Sequence, residues 1–145
     1  MANMYIVDYE NVGNFGMTGV RNLVPGERVV VFFRKDAKQL SFELWNEMNE
    51  CKAIKVVMMV EHSEENALSL QLSSYLGCAV FKYLHFENFV IISNNAEYQI
   101  LADFWEKELG VRISLFPSIE KAVSALAEPV EKGSDSKVSA VGSGK

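Results

Sequence analysis

The chain has 145 residues, 49% hydrophobic and 23% charged, with a net charge of -5, which suits one globular domain with a sizeable core. That balance excludes a protein coated in positive charge, although a local basic patch can still face nucleic acid. No apolar run approaches the roughly 20 residues of a spanning helix, and Met1-Ala2-Asn3 lacks the basic start of a signal peptide, so the cytoplasm is the expected location.

Residues 4–7 are apolar, short enough for a buried strand, and they deliver Asp8 where the apolar character stops. In an open α/β sheet ligands bind beyond the carboxyl ends of the strands, which puts this carboxylate on the functional edge. Asn11 follows in a turn-prone segment with Gly13, Asn14 and Gly16. Asp8 and Asn11 at this spacing can equally hydrogen-bond their own loop backbone. Residues 13–21 read as a loop into a short helix ending near Asn22, and Pro25-Gly26 makes the turn.

Residues 28–33 form a second buried strand, with Val29, Val30, Val31, Phe32 and Phe33 β-branched or aromatic. Asp36 with Gln39 is a capping pair for a helix over 37–50, whose buried stripe is Leu40, Leu44 and Met48. A third strand is expected over 53–60. Ser63 can cap the next helix, where Leu68, Leu72, Tyr75 and Leu76 recur at helical spacing until Gly77. Residues 78–87 are ambiguous between helix continuation and an extra strand.

Residues 89–92 form a fourth strand, and Ser93-Asn94-Asn95 opens a helix whose Tyr98, Leu101, Phe104, Trp105 and Leu109 face the core. Gly110 ends it, residues 111–116 make a fifth strand, and Pro117-Ser118 starts a last helix to about Leu126. From Glu128 the composition shifts to Gly, Ser and Lys without apolar period, so a domain over 1–127 is expected to be followed by a disordered tail or linker over 128–145. Strands alternating with helices imply one three-layer α/β domain, a parallel sheet of about five strands with helices on both faces. Cys51 and Cys78 have no CxxC or histidine spacing around them and are expected as buried, reduced thiols.

The opening Tyr5-Ile6-Val7-Asp8-Tyr9-Glu10-Asn11-Val12 resembles the start of PIN-like and NYN-type nuclease domains. Residues 66–77, Asn-Ala-Leu-Ser-Leu-Gln-Leu-Ser-Ser-Tyr-Leu-Gly, resemble the central helix of bacterial PIN-like proteins, and Ile91-Ile92-Ser93-Asn94-Asn95 resembles their fourth strand and its exit turn. The resemblance implies the strand order 3-2-1-4-5 and a Mg2+- or Mn2+-dependent site begun by Asp8 and Asn11. It also implies acidic residues where this chain has Ser69, Asn95 and Gln99. Of the family's acids only Asp8 clearly survives.

Such a site hydrolyses phosphodiesters through ions that activate water and stabilise the attacking and leaving oxygens. Mg2+ takes oxygen ligands at about 2.0–2.1 Å and is held chiefly by carboxylate charge. A unit pair about 4 Å apart at an effective dielectric near 20 is worth roughly 4 kcal/mol, so losing two carboxylates removes several kcal/mol of ion binding. Asp103 lies about 12 Å down its helix from the edge, too far to substitute. Glu97 pairs with Asn94 as a capping box. Glu65, one turn before Ser69, is the candidate displaced acid, and also an ordinary acidic residue of a first helical turn.

Arg34, Lys35 and Lys38 follow the second strand and offer a phosphate-binding rim, while a solvated charge run explains the same residues. His62 and His85 share no zinc spacing. Two functions are therefore expected to compete. One is a degenerate PIN-like domain, with no cofactor, that binds RNA, a nucleotide or a protein partner without efficient cleavage. The other is a Mg2+- or Mn2+-dependent ribonuclease using Asp8, Asn11 and Glu65.

Overall fold

The computed structural model describes residues 2–35 and 41–127. Its five strands, β1 (Asn3–Asp8), β2 (Arg28–Arg34), β3 (Ile54–Val60), β4 (Asn88–Ile92) and β5 (Ile113–Phe116), form one parallel sheet in the order β3-β2-β1-β4-β5. β1 is buried along its whole length because it is central and covered on both faces, which its unbroken apolar run anticipates. Five helices connect and cover the strands: α1 (Tyr9–Gly16), α2 (Phe42–Glu50), α3 (Ala67–Lys82), α4 (Tyr98–Leu109) and α5 (Ile119–Ala127).

Alternation along each strand divides the core in two. Met4 and Ile6 pack with Val30, Ile91 and the α3 residues Leu68, Leu72 and Leu76 on one face. Tyr5 and Val7 pack with Val29, Val31, Leu44, Met48 and Ile119 on the other. The first face thus carries α3 and α4, the second α1, α2 and α5. Beneath the sheet, Asn88 Nδ2 donates to Asn3 Oδ1 at 2.8 Å and Asn3 Nδ2 donates to the Tyr5 hydroxyl at 3.1 Å, satisfying polar groups buried at the strand starts.

Several local expectations are corrected. The chain turns into helix directly at Tyr9, instead of looping over 13–21, because Asp8 occupies the N-cap and accepts the Asn11 N–H at 3.3 Å. Gly13, at φ 58°, then kinks that helix. Helix α2 begins at Phe42, capped by Ser41 Oγ accepting from Leu44 N; the expected Asp36–Gln39 pair and Leu40 lie outside the described residues. Ser63 caps nothing, since α3 starts at Ala67 after an Asn66 without a side-chain cap. Gly77 does not end α3, because the buried stripe continues through Ala79 and Val80 against the core, and the helix runs on to Lys82.

Helix α4 starts at Tyr98, not at Ser93, and no Asn94–Glu97 box forms: Asn95 Oδ1 accepts the Glu97 N–H at 3.0 Å. Tyr98 faces the core as expected, whereas Phe104 and Leu109 are exposed. Both cysteines are free, Cys51 buried and Cys78 exposed against expectation, because position 78 falls on the outer face of the extended α3. The segment 128–145 lies outside the described residues. No helix among the described residues is long and apolar enough to cross a membrane.

Candidate functional site

The carboxyl ends of β1 and β4 place two short polar segments side by side, the capped start of α1 at 8–11 and the turn at 93–95. Ser93 Oγ donates to Asp8 Oδ2 at 3.0 Å and in turn accepts the Asn95 N–H at 3.0 Å. Asn11 Oδ1 accepts the Asn94 N–H at 2.7 Å, a second link between the same turns. Asp8, buried, and Asn11, exposed, therefore fasten the strand ends together.

Above them opens a cleft of about 300 Å³ lined by Asp8, Glu10, Asn11, Glu65, Leu68, Ser69, Asn95 and Tyr98. Of the residues singled out from sequence, Asp8, Asn11, Glu65, Ser69 and Asn95 are brought together here. Gln99 is not: it points along α4, its Nε2 donating to Asp103 Oδ1 at 3.0 Å. Ser69 Oγ donates to the Asn66 carbonyl at 3.1 Å, and Asn95 Oδ1 is taken by the Glu97 amide.

Glu10, Leu68 and Tyr98 are the lining residues that sequence reading missed, and Glu10 and Tyr98 are the two that carry polar atoms. Glu10 is two residues beyond Asp8 in the opening motif, but only a helix beginning at Tyr9 turns it to the cleft. Tyr98 is 4% exposed, and its pKa is raised by burial, with the charges of Asp8 and Glu10 and the neighbouring Asp8 side chain adding to the effect. Helical spacing marked it only as core.

Burial is also the largest influence on Asp8, pushing its carboxyl above the ordinary value; the Ser93 hydrogen bond and the Asn11 amide pull it back down, with Glu10 raising it and Arg34 lowering it. Arg34 lies beneath the rim. Its Nε pairs with Glu10, its NH1 donates to the His62 carbonyl at 3.1 Å, and its NH2 donates to the carbonyls of Glu64 and Glu65 at 2.9 and 2.6 Å. A guanidinium has five N–H groups, so four are committed to the protein. Lys35 is exposed in the turn after β2, and Lys38 lies outside the described residues.

A divalent ion requires several oxygen donors converging with enough negative charge. Among the described residues, no three His, Cys, Asp or Glu side chains are grouped so as to hold a metal ion. Glu10 is neutralised by Arg34, and the oxygens at Ser69 and Asn95 are engaged locally. This donor set does not fit such an ion.

Fold and cleft together define an α/β domain of the nuclease-fold class, its polar site across the ends of β1 and β4. The family model of the PIN domain matches residues 2–114, and the chain belongs to the PIN domain family. No curated protein and no solved structure matched it.

Proposed function

We propose that this PIN domain is degenerate: it binds RNA at its crest without efficient cleavage, and it works in the cytoplasm. One observation carries the reading. At positions 69 and 95, where acids are expected by resemblance, the side chains are neutral and hydrogen-bond to nearby backbone, Ser69 Oγ donating to the Asn66 carbonyl and Asn95 Oδ1 accepting the Glu97 N–H. Neutral oxygens oriented by their own turns bring no charge to hold an ion, so the shape of the crest is retained while the means of activating water is lost. Lys35, exposed after β2, would meet phosphates, since phosphate contacts position a strand without reading its bases, and Lys38 is the second lysine that the sequence offers for that role. Arg34 acts from beneath, holding the loop that carries Glu65. A nucleotide would use the same contacts.

The competing reading, a Mg2+- or Mn2+-dependent ribonuclease built on Asp8, Asn11 and Glu65, is favoured by one feature, the three carboxylates lining a single cleft. Fluorescent single-stranded RNA titrated with the protein, then incubated with Mn2+ and run on a gel, separates the two. Intact RNA, bound less tightly after Lys35→Ala and Lys38→Ala, is the expected result. Cleavage that disappears in Asp8→Asn would overturn the proposal in favour of the enzyme. Binding unaffected by the lysine substitutions would remove the rim and make a protein partner the better reading.

A further inference from the structure

The most unusual surface lies away from the acids, on the face covered by α3 and α4. A solvent-facing helix ordinarily carries charge on its outer side. Residues 67–81 of α3 carry none, and the exposed positions there include Leu70, Ser74, Cys78 and Phe81, which recur at helical spacing. Leu70 and Phe81 are each 58% exposed. Beside them α4 presents Ile100, 69% exposed, and Phe104, 51% exposed, one turn apart on the same stripe. Aromatic contacts make the two helices continuous: Phe81 packs edge-on to Trp105 with ring centroids 5.7 Å apart, and Trp105 meets Phe104 at 4.8 Å.

We infer that this face is an interface with a second copy of the chain, α3 packing on its own counterpart across a two-fold axis. Two arguments choose that occupant. The four apolar side chains expose on the order of 100 Å² each, about 400 Å² together, since a fully buried aromatic residue covers about 150–250 Å². A standard interface covers about 800 Å² per partner, a little over half of it apolar, so the patch supplies about what one side requires. Charge is the second argument. Two copies of a chain with net charge -5 repel each other over most of their surface, and an uncharged helix is where they meet at least electrostatic cost. The small side chains of Ser74 and Cys78 between Leu70 and Phe81 let the helix backbones approach.

The inference does not depend on what the cleft binds, but it has a consequence there. A shallow groove between α3 and α4, lined by residues that include Ile100 and Leu101, shares Ser69, Asn95 and Tyr98 with the cleft. A second copy seated over Ile100 therefore borders both clefts of the dimer.

Sedimentation velocity of the full chain over a concentration series tests this. The wild type is expected at twice its 16.3 kDa mass, and the Phe81→Glu, Ile100→Glu double variant at the monomer mass with its far-ultraviolet spectrum unchanged. If that variant fails to fold, the wild type still decides, because Cys78 is the exposed free thiol and Cys51 is buried. A short bismaleimide should then link two chains, and Cys78→Ser should abolish the link. A wild type that stays monomeric throughout, a folded double variant that stays dimeric, or a dimer that Cys78 cannot cross-link would each overturn the interface. Monomeric wild type would leave an unrelated protein as the occupant to seek.

Discussion

Ser93 donates its hydroxyl hydrogen to Asp8 across the junction of β4 and β1, joining residues 85 positions apart in sequence at 3.0 Å. The contact holds the buried carboxylate at the cleft floor and favours its charged form, against the burial that favours the proton.

Asp8 titrates above its ordinary value, chiefly because it is buried. A folded-state pKa above the unfolded one means that the native state binds more protons through the intervening window. The stability contributed by this group is therefore full below the ordinary Asp range and is lost as pH rises through the raised value. Urea denaturation at a series of pH values should show wild type losing stability relative to Asp8→Asn as pH increases from about 4 to 7. A difference independent of pH would rule the shift out. Ser93→Ala removes a donor that favours the charged form, so its Asp8 carboxyl resonance, followed by NMR, should titrate still higher.

Arg34 and Lys35 are adjacent in sequence but differ in what they touch. Arg34→Ala deletes the Glu10 pair and three carbonyl contacts, and should cost about 1–3 kcal/mol in urea denaturation. Lys35→Ala alters an exposed turn and should stay within about 0.5 kcal/mol of wild type. Equal effects would mean that the guanidinium does not hold the loop at 62–65.

Divalent ions offer a third measurement. Ligand stabilisation grows as RT ln(1 + [L]/Kd), so about 10 mM Mg2+ or Mn2+ should hardly move the melting temperature of wild type. Ser69→Asp with Asn95→Asp returns carboxylates to two positions that line the cleft beside Asp8, and the same ions should raise its melting temperature by several degrees. A large rise in wild type, abolished by Asp8→Asn, would restore the metal-dependent reading. An unresponsive double variant would show that positions 69 and 95 do not aim at the ion.

The sequence alone determined the elements whose signal is local. Unbroken β-branched and aromatic runs specify β1, β2 and β4, because central parallel strands are buried on both faces and leave no polar alternation. The same runs fix where the strands stop, and hence that Asp8 lies at an edge. Strand order followed from resemblance and is the one observed. Tertiary structure decided what depends on distant partners. Asp8 as a helix cap turned Glu10 into the cleft, and burial of Ala79 and Val80 carries α3 five residues past the expected stop to Lys82, which exposes Cys78. Arg34 could not be told from Lys35 by composition, since only folding brings His62, Glu64 and Glu65 carbonyls within reach of one guanidinium. Periodicity gives the side of a helix that is buried, but whether the other side meets water or acids is set by the chain that packs above it. That is why Tyr98 read as core and proved to be a buried hydroxyl of the cleft, beside Asp8.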